Sequence, residues 1–179
     1  VFDPDKRSDV LDLTNLIEDT VNADQFFEEN FLTEGMKTLI DTAFSRFVQT
    51  GDRGLIKLTQ SMGGGKTHNM IALGLLAKFP FLREKVLGKK NGYEKIGKIR
   101  VVGFSGRDTD SKFGLWGAIA EQLGKKDLFN SYYSPLQAPG LAAWINLLQG
   151  DPVLILIDEL PPYLENAKSV TIGNADLAV

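Results

Sequence analysis

The sequence predicts an α/β protein with a mainly parallel sheet, and three observations carry that prediction. Short apolar runs of strand type, at 55–59, 99–104 and 153–157, are separated by stretches whose apolar residues recur at helical spacing. The run at 153–157 (VLILI) has no polar alternation, the pattern of a strand buried on both faces. The chain has 179 residues, 43% apolar and 24% charged, which suits one soluble domain with a real core rather than two. Strands alternating with helices give a layered domain with right-handed crossovers.

Each element has its own warrant. Residues 8–19 place Val10, Leu11, Leu13, Leu16 and Ile17 at the spacing of a short amphipathic helix. A second helix starts near Asn22, which can cap it, with Gln25 at the reciprocal position and Val21 set to staple onto Phe26. A third, over 33–48, puts Met36, Leu39, Ile40, Ala43, Phe44 and Phe47 on one face. These helices make a helical N-terminal flank, 1–53, ahead of a core at 54–179. The turn at 51–54 (GDRG) leads into a strand at 55–59 (LIKLT), a glycine-rich loop at 60–65 and an apolar helix at 66–78 closed by Pro80. Residues 81–98 are a basic connection of unassigned form, followed by a strand at 99–104. A helix at 112–123 carries Leu115, Trp116, Ile119 and Leu123 on a stripe and ends at Gly124. Residues 125–138 read as a loop, and 139–149 as a short helix stopped by Gly150 and Pro152. Trp116 and Trp144 read as packing residues.

Composition removes several chemistries. There is no cysteine, so disulfides, thiol catalysis and cysteine-ligated metals are excluded. The one histidine, His68, excludes multi-histidine metal sites. Net charge is −3 but unevenly spread: residues 1–30 hold nine acids and two bases, whereas 78–100 hold eight bases and two acids. No apolar run approaches the roughly 18 residues needed to span a bilayer, and the acidic N-terminus is no signal peptide, so the expectation is a cytoplasmic protein without a membrane partner.

The strongest motif is Gln60-Ser61-Met62-Gly63-Gly64-Gly65-Lys66-Thr67, lying between an expected strand and an expected helix. Polyphosphate is densely anionic. Consecutive backbone N–H groups must turn inward to cradle it, and Gly63, Gly64 and Gly65 carry no side chain to obstruct that approach. The following helix aims its positive end at the same phosphates, joined by Lys66 as a point charge and the Thr67 hydroxyl as a ligand for Mg²⁺. The pattern is that of a P-loop (Walker A) with one departure: Gln60 stands where the leading glycine belongs. The same residue types also suit a glycine-rich turn capping an ordinary helix.

The strand at 153–157 runs into Asp158-Glu159, the matching Walker B pattern. Asp158 is placed to hold Mg²⁺ opposite Thr67, and Glu159 to polarise the attacking water. The catalytic set is therefore Glu159 and Lys66. The nucleotide contacts are Ser61, Met62, Gly63, Gly64, Gly65, Lys66, Thr67 and His68, and the metal ligands are Thr67 and Asp158. An acidic residue after the strand aspartate favours ATP over GTP, and no N-K-x-D guanine reader occurs in 1–179.

With both motifs in hand, QSMGGGKTHNMIALGLLAK, LWGAIAEQLG, LILIDELPPYL and the upstream FFEENFLTEGMKTLI resemble the large bacterial and archaeal P-loop, AAA-type ATPases catalogued as a domain of unknown function and encoded beside DNA methyltransferases in anti-phage defence loci. The resemblance implies ATP and Mg²⁺ as cofactors and an N-terminal piece of a longer ATPase, its core incomplete at the C-terminus. It implies DNA-directed action through a larger assembly, with a methyltransferase or other defence protein as partner and a homo-oligomer as a plausible state. It further implies two later strands carrying a γ-phosphate sensor and an arginine finger, so that this chain binds nucleotide but hydrolyses it poorly alone.

Other residues carry weaker signals. His68 reads as a packing residue more than a phosphate contact. Ser105, Arg107 and Asp108 follow the second strand, where ligands gather in open α/β sheets; Arg107 could meet phosphate, though a polar turn explains all three. The basic stretch, with Phe79, Phe81 and Tyr93, could follow a nucleic-acid backbone, but a solvated connection is the favoured reading, and a neighbouring acidic partner, including residues 1–30 of another copy, would also explain it. Pro161 and Pro162 stiffen the exit from Glu159, and Tyr163 packs beneath. Three readings result: an ATP-hydrolysing module, an ATP-gated switch that controls assembly with a protein partner and hydrolyses little, and, least favoured for want of a lid, a phosphotransferase.

Overall fold

The computed structural model describes residues 11–59, 65–89, 92–107, 112–169, 171–172 and 175–176. Its axis is α4 (Lys66–Lys78), in which Met70 through Ala77 are all buried. After its first turn this helix has no polar face, and a helix apolar all round survives only when covered on every side.

The cover comes from two directions. Strands β1 (Arg100–Ser105) and β2 (Val153–Asp158) pair in parallel, from Arg100 opposite Val153 to Ser105 opposite Asp158. Leu154 and Leu156 of β2 pack into the same apolar cluster as α4. From the N-terminal side come α1 (Leu13–Ile17), α2 (Ala23–Glu29) and α3 (Glu34–Phe47), whose Leu13, Leu16, Phe26, Met36, Ile40 and Phe44 join that cluster. The helices before the sheet and the α/β core thus share one hydrophobic interior. On the other face, α6 (Gly114–Gln122) and α8 (Leu141–Leu148) pack with Val102 through Trp116, Ile119 and Leu147, joined by Phe129 from the turn between them. Helices on both faces of a parallel pair make this an α/β architecture.

Local chemistry explains the starts of the first helices. Asp12 and Asn15 form a reciprocal capping box on α1. The Asn22 side chain accepts the Gln25 N–H at 3.1 Å, and Thr33 accepts the Met36 N–H at 3.2 Å. The Gln25 side chain does not return to Asn22; it donates to Glu29 at 2.7 Å along the helix face.

Several expectations need correction. The strand expected at 55–59 does not form: the segment pairs with no strand among the described residues. Ile56 and Leu58 lean on the core while Leu55 is exposed, so the alternation is present without the ladder. Alternation reports one buried face; a strand also needs a ladder along a neighbouring edge, and none is formed by this segment among the described residues. Among the described residues the parallel sheet accordingly has two strands. The basic connection is folded as α5 (Pro80–Leu87) and a 3₁₀ turn at Tyr93–Lys95, with Pro80 opening a helix in the first-turn position that tolerates it. The loop expected at 125–138 contains a 3₁₀ turn, Lys126–Phe129, and α7 (Asn130–Tyr133). Beyond β2 the chain forms α9 (Leu160–Ala167) and an antiparallel pair, β3 (Thr171–Ile172) with β4 (Ala175–Asp176). Among the described residues no helix is long and apolar enough to cross a membrane.

Candidate functional site

The site lies where the start of α4 meets the end of β2. Gly65 is the N-cap of α4 and holds φ 71° and ψ 25°, left-handed backbone that a side chain would strain. Among the described residues no side chain caps this end. The positive end of a helix dipole and its first-turn N–H groups make a helix start a favourable place for an anion. Lys66 and Thr67 are the first two residues of α4. Gln60, Ser61, Met62, Gly63 and Gly64 lie outside the described residues, as does Asp108.

The Thr67 hydroxyl donates to Asp158 Oδ2 at 2.5 Å, joining positions 91 residues apart in sequence. The other oxygen, Oδ1, accepts the Glu159 N–H at 2.9 Å. Two donors thus orient one half-buried carboxylate at the tip of the apolar strand. Among the described residues no group of three or more His, Cys, Asp or Glu side chains stands ready for a metal. What the tip offers is two hard oxygens, the Thr67 hydroxyl and the Asp158 carboxylate, a set that suits Mg²⁺ when phosphate oxygens and water complete its octahedron.

Glu159 follows with φ 48° and ψ 41°, an uncommon left-handed conformation for a residue with a side chain. Its carboxylate Oε1 is 3.2 Å from Arg107 Nη2, and the two side chains are 41% and 69% exposed. Arg107 comes two residues after β1, and Ser105 stands opposite Asp158 in the register. Of the polar residues expected after β1, Arg107 therefore reaches the acidic tip. Pro161 and Pro162 fall in the first turn of α9, where the N–H groups that they lack would have no partner within the helix. Tyr163 anchors that turn: its hydroxyl accepts the Leu115 N–H of α6 at 3.0 Å, and its ring meets Phe104 edge-on at 5.1 Å.

His68 is a packing residue in this geometry. Its ring centroid is 4.7 Å from that of the buried Phe26 in α2, and burial lowers its pKa below the ordinary value. Two lysines of the basic stretch are engaged within the chain. Lys78 donates to the Leu16 carbonyl and to Asp19, both at 2.6 Å, and Lys85 bridges Asp24 at 2.6 Å and Glu28 at 3.7 Å. The acidic partners of these two lysines lie in the N-terminal segment of the same chain. Arg83 is wholly buried, and Tyr93 is buried as well, so neither belongs to a solvated track.

Two residues with structural weight were missed by sequence reasoning. Gly106 sits so close to β2 that a Cβ there would stand 1.8 Å from the Glu159 carbonyl oxygen. The only signal was a glycine at the end of an apolar strand. Arg83 was counted with its exposed neighbours, and no pattern in the sequence distinguishes it from them.

Comparison with known proteins adds a family. The model of the DUF499 N-terminal domain matches residues 3–97 and 108–176. Comparisons with curated proteins and with solved structures gave no match. A match over nearly the whole chain, spanning both Lys66-Thr67 and Asp158-Glu159, means that the chain belongs to the DUF499 family through its N-terminal domain.

Proposed function

We propose that the chain is the Mg·ATP-binding and hydrolysing module of a P-loop ATPase. The observation that carries this reading is the Thr67–Asp158 hydrogen bond. A glycine-ended helix start that presents Lys66 and Thr67 is common enough alone, and so is an acidic strand tip. Their meeting, with a second carboxylate next in sequence, is the arrangement that phosphoryl transfer to water requires. Lys66 would bind the β- and γ-phosphates as a point charge, helped by the first-turn N–H groups of α4. Thr67 and Asp158 would hold Mg²⁺, which neutralises charge developing on the phosphate oxygens. Glu159 would orient water and accept its proton. The resemblance to defence-locus ATPases adds the proposal that hydrolysis serves a larger, DNA-directed assembly in the cytoplasm. The alternative, an ATP-gated switch with little turnover, draws support from the Glu159 carboxylate being engaged by Arg107.

The test is calorimetric titration of Mg·ATP into the native chain, Lys66→Ala and Asp158→Asn. Charge-assisted hydrogen bonds contribute about 1.5–3 kcal/mol each, so Lys66→Ala is expected to weaken binding by about tenfold to a hundredfold with circular dichroism unchanged. Asp158→Asn is expected to remove the Mg²⁺ dependence of binding. Absence of any native binding at millimolar Mg·ATP removes the reading.

A further inference from the structure

We propose that the N-terminal helix α2 sets nucleotide affinity without touching nucleotide: Phe26 is a positioning residue that holds the first turn of α4 through the His68 ring, so that binding of Mg·ATP and docking of α2 strengthen each other. This rests on the reading of that turn as the phosphate site.

The turn needs a hold from outside its own helix. Lys66 and Thr67 open α4, and the bond from the Asn69 N–H to the Gly65 carbonyl, at 2.9 Å, closes only after them. Helix ends fray for this reason. A phosphate site built there loses affinity for every other arrangement that the turn samples, because only the productive fraction of molecules binds. Contacts from two sides reduce that freedom. Thr67 donates to Asp158 at the tip of β2. The next residue, His68, lays its ring against Phe26 of α2, with centroids 4.7 Å apart and planes tilted by 30°. The first contact joins two groups read as Mg²⁺ ligands, so it is exchanged when they take up an ion. The second involves no ligand atom and stays.

Phe26 is itself anchored. It is buried, and its helix starts on the Asn22 cap. Lys85 ties that helix to α5, meeting Asp24 at 2.6 Å and Glu28 at 3.7 Å. The same N-terminal segment grips α4 further along. Gly74 makes room for Leu16 of α1, where a Cβ would stand 2.3 Å from Leu16 Cδ2. Lys78 donates to the Leu16 carbonyl at 2.6 Å. Helix α1 thus steadies the middle and the end of α4, and α2 steadies its start. A ring stack limits the coupling to about tenfold in affinity.

The experiment titrates Mg·ATP calorimetrically into the native chain, Phe26→Ala, Phe26→Leu, His68→Ala, the double variant of Phe26→Ala with His68→Ala, and Phe27→Ala, with urea midpoints measured beside each. Phe27, whose ring meets Phe26 edge-on at 5.2 Å, controls for a general loosening of α2. Phe26→Ala is expected to weaken Mg·ATP binding about threefold to tenfold, and Phe26→Leu by less. Phe27→Ala is expected to lower the urea midpoint and bind within about twofold of native. His68→Ala and the double variant are expected to lose the same factor as Phe26→Ala, not its product. Coupling is reciprocal, so saturating Mg·ATP is expected to slow amide exchange in α2 of the native chain by that factor as well. A merely structural Phe26 would move the midpoint and leave affinity and exchange as they are. Native affinity in Phe26→Ala, an equal fall in Phe27→Ala, or additive losses in the double variant overturns the coupling and leaves the nucleotide site standing. If Phe26→Ala does not fold, Phe26→Leu and the exchange of the native chain decide. Absence of Mg·ATP binding in every chain, native included, removes the site and the coupling together.

Discussion

The two ends of α4 solve the same problem in opposite ways. Every helix leaves unpaired N–H groups at its start and unpaired carbonyls at its finish. At the C-terminal end, Arg83 closes the account from within the chain. Its Nε donates to the Leu76 carbonyl at 2.6 Å and Nη2 to the Ala77 carbonyl at 2.7 Å. The same guanidinium reaches across to the carbonyls of Ile96 at 2.5 Å and Gly97 at 3.1 Å, over the ring of Phe44. At the N-terminal end, left-handed Gly65 brings no side-chain cap, and the first hydroxyl turns to the acidic tip of another element. A cation saturated by buried carbonyls is architecture. A helix start with no side-chain cap among the described residues, beside a carboxylate pair, has the makings of a ligand site.

The largest effect follows from breaking the closed end. Arg83→Met leaves several buried carbonyls without a donor, each costing about 1–3 kcal/mol before relaxation and water entry. The expected net loss is about 3–5 kcal/mol, a large share of an ordinary domain's stability, read as a fall in the urea midpoint. Arg83→Lys is expected to recover only part, because an ammonium cannot span the same fork. Lys66→Ala at the other end is expected to leave the midpoint within about 0.5 kcal/mol while nucleotide binding falls. An Arg83→Met midpoint equal to native would mean that other groups close that end.

This contrast also explains what could be read from the sequence. The cap at Asn22 and the stripe from Met36 to Phe44 are local codes, and they appear as expected in α2 and α3. The apolar runs that became β1 and β2 were legible as unbroken hydrophobic stretches, although β2 is not buried on both faces as expected: Leu156 is buried whereas Ile157 is 38% exposed. The segment at 55–59 has the same kind of residues without a strand, because pairing depends on a neighbour that its own pattern does not encode. Arg83 and Lys85 look alike in a basic stretch; one is buried and the other exposed because one faces the end of α4 and the other faces Asp24. At the site, Thr67 and Asp158 were legible because glycine-rich and acidic motifs constrain each other over any distance. The Arg107–Glu159 contact was not, since it joins two short polar turns that only the register of β1 on β2 brings together.

A middle-sized effect sharpens the comparison at the last residue of α4. The Lys78 side chain is only 12% exposed and donates both to the Leu16 carbonyl and to Asp19. Lys78→Ala is expected to cost about 1–2 kcal/mol, mostly through the carbonyl left unpaired. Lys85, half-exposed against Asp24 and Glu28, is expected to cost less than Lys78 on replacement by alanine, and that cost should shrink with salt. Equal losses for the two lysines would show that both act as surface charges and that the closed end stops at Arg83.

The smallest effect belongs to the open end. His68, in the first turn of α4, stacks on Phe26, and burial lowers its pKa from the ordinary 6.5. The folded chain therefore binds this proton less readily than the unfolded chain. Stability rises with pH wherever the unfolded state holds more protons, so the contribution of the neutral ring is complete above about pH 6.5. It is lost as pH falls through that value toward the lowered one. Urea midpoints of native protein and His68→Gln, compared between about pH 7.5 and 5.5, are expected to converge on acidification because only the native chain must charge this ring. A difference that stays constant across that range would mean that the stack on Phe26 tolerates the imidazolium, and that the start of α4 is more open to water than the packing of α2 suggests.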